Sequence, residues 1–198
     1  MSEGLRERKK AKTRWAIQEH AMRLFGEQGY AATTVDQIAA AAEISPSTFF
    51  RYFATKEDVV VQDVYDDLFV EAFRAAGGTK DPIATLRQAV AGAFREMPAD
   101  ELAQSGQRAA LVLAEPALRS RSVDNFVAVA GRCRAALAES TGRDVDDPGV
   151  AALVGAFTGV LLSVAVSVAE SGDLAALFPR MDAALARLEG VDWFTTRA

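Results

Sequence analysis

Two helix-start signals close together constrain the fold of this chain more than any other feature. The sequence TVDQ from Thr34 to Gln37 has the form of a capping box, with Thr34 as the N-cap and Gln37 three residues later. Ser45 followed by Pro46 is a second N-cap with proline at the first helical position. Both helices must be short, and a turn of about three residues separates them, which predicts a helix-turn-helix.

The rest of the chain has the same helical periodicity. Apolar residues recur at intervals of three and four, which is typical of amphipathic helices, and no strand-like alternation of any length occurs. The fold class is therefore all-α, with a first helix from Lys9 to Gln28 that Gly29 ends. Caps, glycines and prolines predict longer helices after the helix-turn-helix, at 56–76, 82–97, 100–114, 117–140, 148–171 and from 174 onward. We expect two domains, 1–55 and 56–198.

Charge is distributed unevenly along the chain. Residues 1–56 carry nine Lys and Arg against six Asp and Glu, whereas residues 57–198 carry 13 against 21. Six of the nine basic residues form a basic run at positions 6–14. A change of sign between two parts suggests that one part meets a polyanion. A basic run alone is equally typical of a solvated helix face, so a second signal is needed.

The scarcity of cysteine and histidine excludes several function classes. Cys133 is the one cysteine, so no disulfide forms within the chain, which fits a reducing cytoplasm. His20 is the one histidine, and acidic residues are scattered, so we expect no metal, no cofactor and no enzyme active site. We interpret Cys133 as a packing residue, with a redox sensor as the alternative. The N-terminus lacks an apolar core, which predicts no signal peptide and a cytoplasmic protein.

Residues 150–169 are 20 residues without a charge, enough to cross a membrane by length. The flanks are mainly acidic and lack an aromatic belt, which argues against a membrane span. We therefore expect a helix buried against a second copy of the chain in a homodimer, and Gly155 and Gly159, four residues apart, would let the backbone of that copy come close. The predicted interface comprises Leu153, Phe157, Val160, Leu161, Val164, Leu177, Met181 and Leu185.

Several sequence blocks between positions 12 and 60 occur together and in order. They read LFGEQGY at 24–30, TTV at 33–35 and SPSTFFRYF at 45–53, followed by Lys56 and Glu57. In this stretch the chain resembles the DNA-binding domain of the tetracycline-repressor (TetR) family of bacterial regulators. The resemblance implies three N-terminal helices that bind DNA, followed by a larger helical domain for ligand binding and dimerisation.

The resemblance and the basic run together indicate the residues that contact DNA. The candidates are Lys9, Lys10, Lys12, Thr33, Thr34, Ser45, Ser47, Thr48, Phe50, Arg51, Tyr52 and Lys56. Phe50 departs from the family pattern because a tyrosine that binds phosphate is usual there, so its contact is lost or becomes apolar. Glu43 stands where the turn often has glycine, and a positive φ there costs about 1 kcal/mol or more.

The resemblance also implies a small-molecule effector inside the larger domain. Candidate pocket residues are Phe69, Phe73, Phe94, Met97, Leu111, Phe126 and Phe157, although aromatic residues at helical spacing are also ordinary core. An acyl-CoA thioester is a minor hypothesis for a largely apolar effector. We expect a homodimeric repressor that an effector releases from a pseudo-palindromic operator on double-stranded DNA. The alternatives are an activator, a non-specific DNA binder, an interaction protein without DNA binding, and an enzyme.

Overall fold

The computed structural model describes residues 2–62, 66–97 and 99–194, in which every regular element is a helix. The helices are α1 Ser2–Gln28, α2 Val35–Ala41, α3 Pro46–Tyr52, α4 Lys56–Val61, α5 Asp66–Ala76, α6 Pro82–Glu96, α7 Ala99–Ala114, α8 Pro116–Thr141, α9 Pro148–Ser171 and α10 Leu177–Ala186, with a 3₁₀ turn at Leu174–Ala176. The chain divides into two units. The first unit holds residues 1–64 with 111–122, and the second holds 65–110 with 123–198. Residues 111–122 are called the inserted segment below.

The helix starts that N-cap residues predicted are confirmed. Each N-cap side chain accepts a hydrogen bond from a backbone N–H of the first turn, which satisfies a donor that the helix leaves unpaired. These N-caps are Thr34, Ser45, Thr55, Asp81 and Asp147. The capping box at the start of α2 is complete, and Gly29 follows the end of α1 with a φ of 87°.

Two predicted boundaries are wrong. The first helix begins at Ser2 and not at Lys9, so the whole of the basic run lies within α1. The helix predicted at 56–76 is two helices, because α4 ends at Val61 and Gln62 has an extended backbone with φ −82° and ψ 124°. The side-chain amide of Gln18 donates to the carbonyl oxygens of Val59 (3.1 Å) and Gln62 (2.8 Å), so a side chain from α1 satisfies carbonyls at the end of α4.

The core of the first unit joins α1, α2, α3, α4 and the start of α8. Its fully buried large side chains are Ile17, Ile38, Phe49, Phe53, Val59 and Leu118. Leu118 belongs to the inserted segment, so residues from the C-terminal half of the sequence complete this core.

The core of the second unit is larger and mainly apolar. It contains Phe73, Ile83, Leu86, Leu137, Leu153, Phe157, Met181 and Leu185 from α5, α6, α8, α9 and α10. The C-terminal residues close over it. The Gly190 N–H donates to Asp81 (3.0 Å), and the Trp193 carbonyl lies so near Gly149 that a Cβ there would meet it at 2.0 Å.

Candidate nucleic-acid interface

One residue of the turn between α2 and α3 has a left-handed backbone conformation. Glu43 has φ 54°, and it is the one non-glycine residue with positive φ in the part of the chain that the structure describes. The turn is closed by hydrogen bonds from the Glu43 and Ile44 N–H groups to the carbonyls of Ala40 (3.1 Å) and Ala39 (2.9 Å). Because glutamate takes this conformation at a cost of about 1–2 kcal/mol, the surrounding core must hold the turn.

Helix α3 has a buried side and an exposed side. Phe49 and Phe53 are buried in the core of the first unit. Ser47, Phe50 and Arg51, three and four residues apart, are exposed together and are called the outward face below. A helix that projects such a face from a helix-turn-helix is suited to enter the major groove.

Hydroxyl groups cluster at the start of α3. The Ser45 Oγ accepts from the Thr48 N–H (3.1 Å) and lies 2.9 Å from both the Ser47 Oγ and the Thr48 Oγ1. These bonds fix the hydroxyl positions relative to the helix. Ser45 and Ser47 are exposed, whereas Thr48 is half-buried. Tyr52 is also half-buried, with the Arg51 guanidinium 5.4 Å from its ring centre.

Thr33 and Thr34 occupy opposite environments at the start of α2. Thr34 is exposed beside Gln37, as a phosphate contact requires. Thr33 is 1% exposed. Its hydroxyl donates to the Gly29 carbonyl (2.8 Å) and accepts from the Gln28 amide (3.1 Å), so it ties the loop to α1 and faces away from solvent. The predicted DNA contact of Thr33 is not compatible with this placement.

Lys56 makes contacts that the sequence did not indicate. Its Nζ donates to the carbonyl oxygens of Tyr30 (2.9 Å) and Thr33 (3.0 Å) and lies 4.1 Å from the centre of the Tyr30 ring. These acceptors compete with the predicted phosphate contact for the same ammonium group. Lys56 therefore fastens the start of α4 to the loop before α2.

The basic run divides between solvent and the interior. Lys10 and Lys12 are exposed, and the side chain of Lys9 lies outside the described residues. Arg14 turns inward, where its Nη2 donates to the Gln62 Oε1 (2.8 Å) and its guanidinium lies 4.8 Å from the Phe53 ring centre. Lys10 and Lys12 remain candidates for the DNA backbone.

An ion pair between a buried carboxylate and a partly exposed arginine joins α4 to the inserted segment. Asp58 is 1% exposed, and its Oδ1 accepts from the Arg121 Nε at 2.7 Å. Its Oδ2 accepts from the Thr55 N–H at 3.1 Å, which completes the capping box of α4. The sequence T-x-x-D at 55–58 could have revealed the capping box, but no local pattern indicates Arg121.

Tyr30 and Glu57 form a second polar contact in the first unit. The Tyr30 Oη donates to the Glu57 Oε1 at 2.5 Å. Burial and this carboxylate raise the pKa of Tyr30 well above its ordinary value of 10.0. Burial raises the pKa of Glu57, but the hydrogen bond from Tyr30 and bonds at the start of α4 outweigh it, so the pKa lies below 4.5. The pair is therefore a phenol hydrogen-bonded to a carboxylate at neutral pH.

The predicted effector residues do not form one group. Phe69 and Phe73 both contact the edge of Phe157, with ring centres 5.8 and 5.2 Å away. Phe94 pairs instead with Phe178 at 5.2 Å. Met97 and Phe126 are half-buried. Leu111 packs in the first unit and not with these aromatic rings.

The predicted dimer residues also fall into two groups. Leu153, Phe157, Val164, Met181 and Leu185 are buried within a single chain, so their side chains are already covered. Val160, Leu161 and Leu177 are half-buried. Gly155 and Gly159, which the sequence indicated as points of close approach, are exposed on α9, whereas the sequence did not single out the exposed Leu162. An apolar groove of about 360 Å³ lies there, lined by Gly155, Ala156, Gly159, Val160, Ser163, Val164, Ala184 and Leu188.

Helix α9 has the length and composition of a membrane span over residues 148–168, and 28% of its most apolar stretch is buried. This is weak support for a membrane role, since a helix covered by protein passes the same test.

Cys133 is buried, and burial, with Asp66 adding to it, raises its pKa to about 12 against the opposing effect of Arg132. Such a thiol is protonated and unreactive at neutral pH. The described residues hold no group of three or more His, Cys, Asp or Glu side chains that could bind a metal ion.

Comparisons with known proteins cover both units. The family model of bacterial regulatory proteins of the tetR family matches residues 17–62, and that of the MftR C-terminal domain matches 80–191. The transcriptional regulator TcmR of Streptomyces glaucescens is 35% identical over 155 residues, which are 73% of this chain and 67% of TcmR. HbdR of an Aromatoleum species is 33% identical over 112 residues, 55% of this chain and 46% of HbdR. The chain thus spans between about half and two thirds of these two regulators.

A solved structure has the same fold. NalD, the secondary repressor of the MexAB-OprM multidrug efflux pump in Pseudomonas aeruginosa, matches with a TM-score of 0.53 and 18% identity. The match covers 92% of this chain and 100% of NalD. At this identity the likeness concerns the fold, and the all-α architecture with an N-terminal helix-turn-helix is confirmed.

Proposed function

Because this chain belongs to the tetR family of bacterial regulatory proteins, we propose that it is a homodimeric repressor with a pseudo-palindromic operator. Each α3 enters the major groove, and the two copies of α3 lie about 34 Å apart on one side of the DNA. A small, largely apolar molecule in the second unit shifts the population away from the spacing that fits the operator.

The outward face of α3 carries this proposal. Ser47 and Arg51 present hydrogen-bond donors and acceptors to solvent on a helix whose other side is fixed in a core. Lys10 and Lys12 are exposed on α1, within the N-terminal 56 residues, where basic residues outnumber acidic ones. The lysines are suited to phosphate groups, and the polar groups of α3 are suited to the edges of bases. Together they favour DNA as the partner over a protein or a membrane surface.

The exposed side of α9 supports the homodimer. Leu162 is 52% exposed there, beside the groove that Gly155 and Gly159 line. An apolar face of this kind on a long charge-free helix favours burial against another protein surface. A second copy fits because glycines facing each other let two backbones approach closely. Gly155, Gly159 and Leu162 replace Leu153 and Phe157 as the proposed centre of the interface.

The aromatic residues of the second unit support an apolar effector. Phe69 is half-buried against Phe157, and Phe94 is half-buried against Phe178, so displacement of either ring opens space beside the core. A flat or acyl-chain molecule that replaces these ring contacts retains the apolar environment.

The DNA-binding proposal is tested by a mobility shift on DNA flanking the gene, with excess random competitor and a series of salt concentrations. We expect a discrete, competitor-resistant complex whose affinity falls by about 0.9 log units per log unit of salt for each phosphate contact. The variant Ser47→Glu places a negative charge on the outward face and abolishes the complex. Ser120→Glu, an equal change on an exposed residue of α8, leaves it intact. Retained binding by Ser47→Glu contradicts the assignment of α3.

The dimer is tested by sedimentation velocity on two glycine variants. A Cβ at Gly159 meets nothing within 4 Å in the single chain, so Gly159→Glu has room within its own chain. Gly131 on α8 is equally open and exposed, and Gly131→Glu is the matched control. We expect Gly159→Glu to sediment as a monomer and Gly131→Glu as a dimer. A dimer in both variants places the interface elsewhere.

A further inference from the structure

Phe50 is an exposed aromatic residue on the outward face of α3. Its side chain is 54% exposed, whereas the other large apolar residues with high exposure in the described part of the chain are valines and a leucine. Removal of apolar surface from water is favourable, and the chain itself leaves about half of this ring uncovered. The exposed part of the ring is therefore available for contact with a binding partner.

The ring of Phe50 is held in place by the buried ring of Phe49. Its edge meets the ring of Phe49 with centres 5.5 Å apart and planes at 85°. Phe49 is fully buried and packs against Phe53 at 6.0 Å, so the contact connects the exposed ring to the core of the first unit. An aromatic side chain with two rotatable bonds and one fixed neighbour reaches its partner with little loss of entropy.

The chemistry of the ring limits what it recognises on DNA. A phenyl group has no donor or acceptor, so it makes no hydrogen bond to a phosphate or to a base edge. The apolar group that the major groove offers is the C5-methyl group of thymine. Resting on the DNA-binding function proposed above, we propose that Phe50 packs on a thymine methyl group and thereby selects thymine at one position of each operator half-site.

The neighbours of Phe50 fit this assignment. Ser47 and Arg51 lie three residues before it and one residue after it on the same exposed face, so polar groups flank the ring. Polar contacts from these two residues fix the register on the duplex, and the ring reads the methyl group between them. The loss of the hydroxyl that the family usually has here changes the position from a backbone contact to a base contact.

The test uses an operator selected from a random DNA library with the full-length protein. Each thymine of the operator is replaced in turn by uracil, which lacks the methyl group and keeps every hydrogen-bonding atom. We expect one position per half-site at which uracil weakens binding by about fourfold, the effect of burying about one methyl group. Phe50→Ala binds thymine and uracil equally at that position, and Phe50→Tyr, which keeps the ring, retains the preference.

Two controls distinguish this proposal from loss of folding or of DNA binding. Because Phe50 is exposed, Phe50→Ala keeps the thermal unfolding curve of the unaltered protein. Arg51→Ala, next to it on the same face, weakens binding but keeps the fourfold difference between thymine and uracil. Selection of no operator overturns the DNA-binding function itself. An operator on which uracil affects Phe50→Ala and the unaltered protein equally overturns the role of Phe50 alone.

Discussion

The two units of this protein are stabilised in different ways. In the first unit, α2, α3 and α4 have seven, seven and six residues, and polar side chains fasten them together. Gln18, Lys56 and Asp58 each bind a group that is distant in the sequence. In the second unit, α9 has 24 residues, and together with the part of α8 from residue 123 onward it encloses a core that is almost entirely apolar.

The difference follows from helix length. A helix of two turns buries few side chains and is unstable alone, so its position depends on caps and on directional hydrogen bonds. Long helices bury enough apolar surface to be held by packing, which tolerates exchange of one apolar residue for another. The first unit therefore needs particular residues, whereas the second needs only an apolar pattern.

The chain offers a separate optical probe for each unit. Trp15 lies in the first unit and Trp193 in the second, and the sequence has no other tryptophan. Variants that keep one tryptophan report the free energy of unfolding of one unit by fluorescence in urea. This matters because two units do not unfold as one two-state system.

The largest expected effect is in the second unit. Phe73 is fully buried, and Phe73→Ala leaves a cavity that lowers the free energy of unfolding by about 4 kcal/mol. The free energy of unfolding that the Trp193 signal reports in urea falls by that amount. Val127→Ala, at an exposed position of α8 in the second unit, changes it by less than about 0.5 kcal/mol. Equal effects of the two substitutions would contradict a core held by packing.

The next effect concerns the ion pairs of the two units. Asp58→Ala removes the N3 half of the capping box of α4 and the ion pair with Arg121, which costs about 2 kcal/mol at the Trp15 signal. Asp67→Ala breaks the pair with Arg132 in the second unit, where Asp67 is 81% exposed, and costs less than about 0.5 kcal/mol. A comparable loss in both variants would show that the first unit does not depend specially on polar contacts.

Lys56→Met separates a structural from a DNA-binding role. We expect a loss of about 1–2 kcal/mol at the Trp15 signal, because the Tyr30 and Thr33 carbonyls lose their charged donor. The slope of log affinity against log salt stays unchanged, since the ammonium group is committed to these carbonyls. A decrease in the slope by about 0.9 would show that Lys56 also contacts a phosphate.

The smallest effect depends on pH. Tyr30→Phe removes the hydrogen bond to Glu57 and lowers the free energy of unfolding by about 1 kcal/mol at pH 7. A lowered carboxyl pKa stabilises the fold above the unfolded value of 4.5, and this contribution is lost as pH falls through the folded pKa. A raised phenol pKa stabilises below pH 10.0 and is lost above it.

The difference in the free energy of unfolding between Tyr30→Phe and the unaltered protein is therefore constant between about pH 5 and 9. This difference in the free energy of unfolding becomes smaller as the pH falls below 4.5, the ordinary pKa of Glu57. Urea titrations at pH 3.5, 5, 7 and 9 measure it through Trp15. A difference that grows as pH falls would contradict the direction of the Glu57 shift.

Sequence reasoning succeeded where the cause of the structure is local. Thr34, Ser45 and Thr55 act on a backbone group within three residues, so the starts of α2, α3 and α4 were predicted. On α3, Phe49 and Phe53 are buried, and of the predicted contacts Ser47, Phe50 and Arg51 are exposed, whereas Thr48 and Tyr52 are half-buried.

It failed where the partner is far away. Gln18 binds carbonyls 41 and 44 positions later, which satisfies the end of α4, and Arg121 reaches Asp58 across 63 positions. Thr33 and Thr34 are neighbours of the same type, yet tertiary packing buries one and exposes the other. Periodicity on α9 identified an apolar helix but not which side its own chain covers.

The inserted segment makes the DNA-reading part of this protein discontinuous in the gene. Leu118 fills its core and Arg121 neutralises its buried carboxylate, although both are encoded more than 50 codons after α4 ends. A hybrid regulator made by grafting the first 60 residues onto another effector domain would lack both residues. Its DNA-binding domain would have a cavity where Leu118 packs, and the buried carboxylate of Asp58 would lose its ion pair with Arg121. Transplantable operator specificity here requires two pieces of sequence, moved together.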